Sequence, residues 1–286
     1  MREYTDDSDE PLELNIRRVI EQKNPALFTA LPEFALKYLE RITHITELNN
    51  GLRKLHEYRG IAFAREVMEY LDVTVETVGT DNLRSADRPI VVANHPLGGL
   101  DGVALISIVG SVFPNVRVPA NDILMNLPHL REAFIPVNKH GSNLENLAAF
   151  NRAFEFAEAL VHFPAGRCSR KKAGRIRDLE WQKSFVAKAR EYDRTVVPTF
   201  IEGENSGFFY GLSRTRQRFG IKANLEMLYL VDEMFKQRGR RIRVVFGRPI
   251  APSSFARGTS AGTWATRVKR HVYRLGTDPG AVFKTQ

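Results

Sequence analysis

Residues 89–105 read Pro-Ile-Val-Val-Ala-Asn-His-Pro-Leu-Gly-Gly-Leu-Asp-Gly-Val-Ala-Leu, and they hold the side chains best suited to chemistry. The apolar run 90–93 predicts a buried strand. It stops at Asn94, presents His95, turns through Gly98 and Gly99, and reaches Asp101 just before the apolar start of a helix. Glycine adopts backbone angles closed to other residues, so the pair permits a tight reversal. An imidazole and a carboxylate delivered to one loop at a strand end form the layout of a general base with its orienting acid. The bland reading of the same residues is a loop in which His95 and Asp101 only satisfy local hydrogen bonds.

A second apolar strand, 160–163, also runs into a Pro-Gly loop. Beyond it, residues 167–177 carry six basic side chains and no acidic one: Arg167, Arg170, Lys171, Lys172, Arg175 and Arg177. Such a run is either a solvated loop or an anion site, where guanidinium forks and backbone N–H groups hold phosphoryl oxygens. The other histidines (His44, His56, His129, His162 and His271) lie in helical or strand patterns without metal-ligand spacing, which predicts no catalytic metal.

These segments need a scaffold. Strand patterns at 73–78, 89–93, 116–118, 133–137, 160–163, 195–201 and 242–246 alternate with helical ones near 101–110, 123–132, 143–159, 180–192, 222–237 and 261–275. The alternation predicts an α/β fold: a layered, largely parallel mixed sheet flanked by helices. Ligands in such sheets bind beyond the carboxyl ends of strands, where His95 stands. Residues 1–72 read as an acidic tail followed by an N-terminal helical subdomain, and residues 73–286 as the α/β domain. Within the first part, Phe34, Tyr38, Ile42, Ile45, Leu48, Leu52 and Leu55 recur at helical spacing, with Gly51 and Gly60 as expected breaks. That stripe suits a core-covering face, a subunit contact or a bilayer surface. The run Phe208-Phe209-Tyr210 reads as core, or as the lining of an apolar tunnel or a membrane contact.

The motifs in this order resemble the glycerolipid acyltransferase family of the lysophosphatidate type, in its hemolysin-type or aminolipid branch. The carriers are Asn94-His95 with Asp101, Phe134-Ile135-Pro136-Val137, Pro164-Ala165-Gly166-Arg167-Cys168-Ser169, Lys183, Val197-Pro198-Thr199 and Gly247-Arg248-Pro249-Ile250. The likeness spans roughly residues 75–255. Three departures stand out. Five residues, not four, separate His95 from Asp101, so the loop must bulge. Ala165 replaces a glutamate, and Val137 stands where the family has a phosphate-holding arginine, a role open to Lys139 or His140. The resemblance implies acyl transfer from a thioester to the hydroxyl of a lyso-lipid. His95 would be the base and Asp101 its orienting acid. Asn94, Gly98, Gly99, Lys139, Gly166, Arg167, Ser169, Arg170 and Lys183 would contact substrate, with oxyanion donors at the 164–166 turn. Because a thioester is already activated, Cys168 is not needed as a nucleophile. The implied partners are acyl carrier protein or a CoA thioester as donor substrate, a lyso-lipid acceptor and a membrane surface; no cofactor is expected.

Composition agrees with an anionic partner. The 286-residue chain has 42 Lys and Arg against 33 Asp and Glu, a formal charge of +9. Charge alone would also suit nucleic acid, but no helix-turn-helix, RNA-recognition aromatic motif or zinc knuckle is present, so no nucleic-acid partner is expected. A non-catalytic lipid- or carrier-binding module is the other competing reading. The single Cys168 excludes an intrachain disulfide and a Cys-rich metal site. The N-terminal residues lack a signal-peptide pattern, and no stretch approaches the ~20 apolar residues of a membrane span. The expected location is cytoplasmic, peripheral on the inner face of the membrane.

Overall fold

The computed structural model describes residues 13–120, 124–136, 144–172, 174–221 and 224–285. The acidic start, Val137, Lys139 and His140 lie outside them. Five N-terminal helices come first: α1 (Ile16–Lys23), α2 (Pro25–Ala30), α3 (Glu33–Ile42), α4 (Ile45–Lys54) and α5 (Gly60–Tyr70). The α/β part follows as β1 (Thr74–Val78), α6 (Thr80–Arg84), β2 (Ile90–Ala93), α7 (Gly99–Gly110), β3 (Val116–Ala120), β4 (Phe134–Pro136), α8 (Leu144–Phe156) and β5 (Ala159–His162). Next come a hairpin of β6 (Arg170–Lys172) and β7 (Arg175–Arg177), then α9 (Ser184–Glu191), β8 (Val196–Ile201), α10 (Gly207–Arg218), α11 (Leu230–Phe235), β9 (Arg241–Phe246) and α12 (Ala261–Leu275).

The main sheet has seven strands in the order β1-β9-β8-β2-β5-β3-β4. Every neighbouring pair runs parallel except β8 with β9. β2 lies at its centre, and all four of its side chains are fully buried. Val91 and Ala93 pack into one core with Phe63 and Met68 of α5 and Leu105 and Val109 of α7. Ile90 and Val92 face the other, with Phe154, Phe185, Trp264 and Val268. A strand buried on both faces needs an unbroken apolar run, which is why residues 90–93 show no polar alternation. The layered α/β class expected from the sequence is the one observed.

The local differences have physical causes. The stripe from Phe34 to Leu55 does not form one face, because His44 adopts a left-handed backbone (φ 48°) and redirects the chain between α3 and α4. Its Nε2 lies 2.8 Å from Asp232 and its ring packs on Phe235, contacts that hold this unfavourable conformation. Ile42, Leu52 and Leu55 therefore enter the core while Phe34 and Tyr38 stay exposed. Gly51 does not break α4; a Cβ there would stand 3.2 Å from the Tyr70 ring. Gly60, at φ 54°, does mark a boundary, the start of α5. The helix expected near 123–132 is two 3₁₀ turns, Leu124–Asn126 and Pro128–Ala133. The helix expected near 222–237 begins as a 3₁₀ turn, Leu225–Tyr229, and continues as the short α11.

Two buried histidines couple the fold to pH. Burial pushes His162 on β5 from about 6.5 down to about 4, and its Nδ1 has no partner. Burial, reinforced by the charges of Arg59 and His56, does the same to His129. The unfolded chain therefore takes up protons near pH 6.5 that the folded chain refuses until about pH 4. Stability is full above the higher value and falls as pH drops through the window. Urea titrations of His162→Phe should show a shallower decline across this window, by up to ~1.4 kcal/mol per pH unit.

Candidate active site

The His95 loop leaves the carboxyl end of β2 and is pinned on three sides. Asn94 is buried, and its amide both donates to the Ile201 carbonyl (2.8 Å) and accepts from the Ile201 N–H (2.7 Å), tying β2 to the end of β8. Asn205 donates to the Pro96 carbonyl (3.1 Å). The Ser169 N–H donates to the His95 carbonyl (2.8 Å), joining this loop to the one after β5.

Asp178 is the hub of that junction. Its Oδ1 accepts from the Ser169 hydroxyl (2.6 Å) and the His95 N–H (3.1 Å), and its Oδ2 accepts from the Trp181 indole (2.7 Å). Its own N–H donates to the Tyr273 hydroxyl (2.6 Å). The sequence carries one signal for it: Asp178 is the first acid after six cations.

The imidazole and the carboxylate meet. His95 Nδ1 lies 2.9 Å from Asp101 Oδ2, and the same oxygen accepts from the N–H groups of Leu97 (2.8 Å) and Gly98 (3.0 Å). The ring stacks on Phe163, with centroids 4.2 Å apart and planes 25° from parallel. The His95 side chain keeps 18% of its surface accessible while that of Asp101 is fully covered. Burial pushes the Asp101 carboxyl up, and the His95 and Leu97 hydrogen bonds oppose the rise. A proton on Nδ1 bonded to Asp101 leaves the Nε2 lone pair for an incoming hydroxyl, the arrangement a general base needs.

The extra residue between His95 and Asp101 is absorbed at Gly98. Its φ of 76° is in the left-handed region, and a Cβ there would lie 2.9 Å from Cys168 Sγ and 3.1 Å from Leu230 Cδ2. The reversal expected from both glycines therefore rests on Gly98 alone. Gly99 is the exposed first residue of α7, and a Cβ there would meet nothing within 4 Å. Cys168 packs beneath the loop, and burial pushes its thiol up to about 12, which suits packing and not nucleophilic attack.

The basic run divides. Arg170 points inward, where its guanidinium pairs with buried Glu226 (2.9 Å) and donates to the Cys168 carbonyl (2.8 Å). Arg216 bonds both oxygens of Glu226, at 2.8 and 2.9 Å. Burial alone would raise the Glu226 carboxyl, but the two arginines outweigh it and hold the group below the usual range. The anion that Arg170 binds is thus an internal carboxylate, which corrects its expected place among the substrate contacts. Arg167, Lys171, Lys172, Arg175 and Arg177 face outward on the hairpin and the loop before it, with no ion pair among the described residues. Arg175 and Arg177 line a groove of about 340 Å³ together with Asn94, Ser169 and Tyr273.

Two further expectations change. The Gly166 N–H donates to the Phe163 carbonyl (3.0 Å) and Pro164 has none, so of the 164–166 turn only the Ala165 N–H is left to offer an oxyanion. Lys183 is exposed at the start of α9, which the Gln182 N–H ties to the Pro164 carbonyl (3.0 Å). Lys139 lies outside the described residues.

The sequence matches the acyltransferase family over residues 18–278. The chain belongs to that family. Two relatives cover nearly all of this acyltransferase. The lyso-glycine lipid O-acyltransferase of Bacteroides thetaiotaomicron is 40% identical over 264 residues, spanning 92% of this chain and 97% of its own. That of Phocaeicola vulgatus is 41% identical, spanning 92% and 95%. The 1-acyl-sn-glycerophosphate acyltransferase of Thermotoga maritima, a solved structure, aligns at 16% identity with a TM-score of 0.48 over 91% of this chain and 93% of its own. The family resemblance drawn from the motifs is borne out.

Unfolding experiments separate these roles. Gly98→Ala should cost ~1–3 kcal/mol of stability, the usual scale for a residue forced into a strained backbone, while Gly99→Ala should be neutral or slightly stabilising. Arg170→Ala leaves buried Glu226 with Arg216 as its remaining cation and should cost ~1.5–3 kcal/mol, with KM of the surviving folded enzyme unchanged. An unaltered melting temperature for Arg170→Ala would return that side chain to the substrate contacts.

Proposed function

We propose that this acyltransferase moves a fatty acyl group from a thioester donor to the hydroxyl of a lyso-lipid at a membrane surface. The donor is acyl carrier protein or CoA, and a lyso-glycine lipid is the favoured acceptor. The reading rests on the His95–Asp101 pair, buried on its acid side and open on its base side, in a chain whose near-full-length relatives are named lyso-glycine lipid O-acyltransferases.

In this reading His95 Nε2 takes the proton of the acceptor hydroxyl as its oxygen attacks the thioester carbonyl. The tetrahedral intermediate collapses to an ester and a thiolate, and the imidazolium returns its proton to the sulfur. No enzyme acyl intermediate is needed. Asp101 holds the Nδ1 proton and stabilises the imidazolium, while Phe163 fixes the plane of the ring. The Ala165 N–H is the oxyanion donor that the turn can supply. Arg167, Arg175 and Arg177 offer unpaired cations beside the loop for the phosphate of the donor or the anionic end of the acceptor. Among the described residues no helix is long and apolar enough to cross a membrane. The location that suits a lyso-lipid acceptor is peripheral, on the cytoplasmic face of the membrane.

The test incubates purified protein with acyl carrier protein or CoA thioesters and a panel of lyso-lipids, including glycine and phosphatidate forms, with products read by mass spectrometry. His95→Ala should lower turnover ~10²–10⁴-fold with the fold intact. Asp101→Asn, which keeps an oxygen for the Leu97, Gly98 and His95 contacts but removes the charge that stabilises the imidazolium, should lower kcat far more than it changes KM. Unchanged turnover in His95→Ala would refute the assigned base.

A further inference from the structure

One face of the molecule carries exposed aromatics that the core does not use. On α10, Phe208, Leu212, Thr215 and Phe219 recur at spacings of four, three and four, which places them on one side of the helix. The opposite side, Phe209, Tyr210, Ser213 and Arg216, is buried. Phe208 and Phe219, at the two ends of the outer stripe, are 53% and 73% exposed. The 3₁₀ turn that follows adds exposed Leu225 and Leu228. Its Tyr229 meets the Phe208 ring (centroids 4.9 Å apart) and shares a hydroxyl contact with Tyr38 of α3. There Phe34, 75% exposed, lies one turn before Tyr38 on the same face. The patch thus runs from α3 through the turn to α10. Single exposed apolar residues are ordinary, but aromatics joined across three elements are not.

The unpaired charges around the patch are cationic, because the acids nearest it, Glu33 and Asp232, are paired with Arg17 and with His44 and Lys236. Lys37 and Arg41 share the face of Phe34 and Tyr38, and Arg41 sits over the Tyr38 ring (5.1 Å). Arg214 and Arg218 border the α10 stripe. None of the four closes an ion pair among the described residues, and α10 contains no acidic residue. The patch also borders the candidate centre: Leu230, next to Tyr229, packs against Gly98 in the His95 loop.

We infer that this face docks on an anionic lipid surface, with Phe34, Phe208, Phe219, Leu225 and Leu228 entering the headgroup–acyl boundary and the four cations meeting lipid phosphates. A lyso-lipid held in that leaflet would bring its hydroxyl to His95 along the Tyr229–Leu230 edge. The inference deepens the proposed function and rests on it for the identity of the substrate; the docking itself is read separately.

The experiment co-sediments the full chain with sucrose-loaded vesicles of phosphatidylcholine alone or mixed with phosphatidylglycerol. Wild type should bind the anionic vesicles, and the double variant Phe208→Ser/Phe219→Ser should bind at least ~10-fold less with an unchanged melting temperature. Lys37→Glu/Arg41→Glu should reduce binding to anionic vesicles and remove its salt dependence. Acyl transfer to a lyso-lipid in vesicles should fall with binding, while transfer to a monomeric short-chain lyso-lipid stays at the wild-type rate. Equal sedimentation of wild type and variants would overturn the docking face. So would failure of wild type to bind, or a self-association abolished by the same variants in its place. Loss of transfer to both acceptors in wild type would instead sink the acyltransfer reading and leave the sedimentation result standing.

Discussion

Asp101 Oδ2 carries three contacts at once: the Leu97 N–H, the Gly98 N–H and the His95 ring. Two of them satisfy amides at the start of α7 that the helix itself leaves unpaired, so the side chain that orients the imidazole also caps the helix beneath it. The geometry is concerted. Gly98 must turn left-handed for both amides to converge on one oxygen, and that same turn lets a longer loop return the carboxylate to the ring. Full burial raises the cost of the charge, and the contacts offset part of it. The second carboxylate, Asp178, works from the other side by gripping the His95 backbone and the Ser169 hydroxyl. The ring is held through its nitrogen, its stacking face and its main chain.

The central strand and the His95 loop that follows it are legible in the sequence because their signals are local. An unbroken apolar tetrad means burial on both faces, and Asn-His followed by glycine and Asp defines a loop by its residue types. Gly98 and Gly99 look equivalent there because the sequence does not show that Cys168 and Leu230 crowd only the first. Arg170 hides its role for a similar reason. Its partner Glu226 lies 56 positions away, and nothing in a cationic run marks which member turns inward. The β6–β7 hairpin escapes pattern reading because three-residue strands of charged side chains lack apolar alternation. α10 escapes it because Gly207 and Gly211 lower helix propensity across a segment capped by Ser206. The break at His44 leaves no trace either, since that left-handed residue is stabilised by Asp232 and Phe235 from far along the chain.

Charge is sorted by depth as well as by position. The inward arginines, Arg170 and Arg216, share one carboxylate and serve as tertiary struts between the hairpin, α10 and the 3₁₀ turn that follows it. The outward cations have no ion pair among the described residues, so the field outside the loop is positive. Substitutions in the two classes act through different quantities: folding free energy for the inner pair, encounter and orientation of anions for the outer set.

The sheet order imposes a constraint on assembly. β1 is an edge strand whose only partner is β9, and β9 reaches it by running antiparallel to β8 near the end of the chain. During synthesis the segment after α5 therefore emerges with no strand to receive it, and its ladder forms only once β9, far along the chain, has left the ribosome. Closing so long a loop is slow compared with helix formation. Edge completion is thus a late folding event, and until it occurs the nascent protein exposes β1 and the β9-facing margin of β8, to which holding chaperones or neighbouring chains can bind.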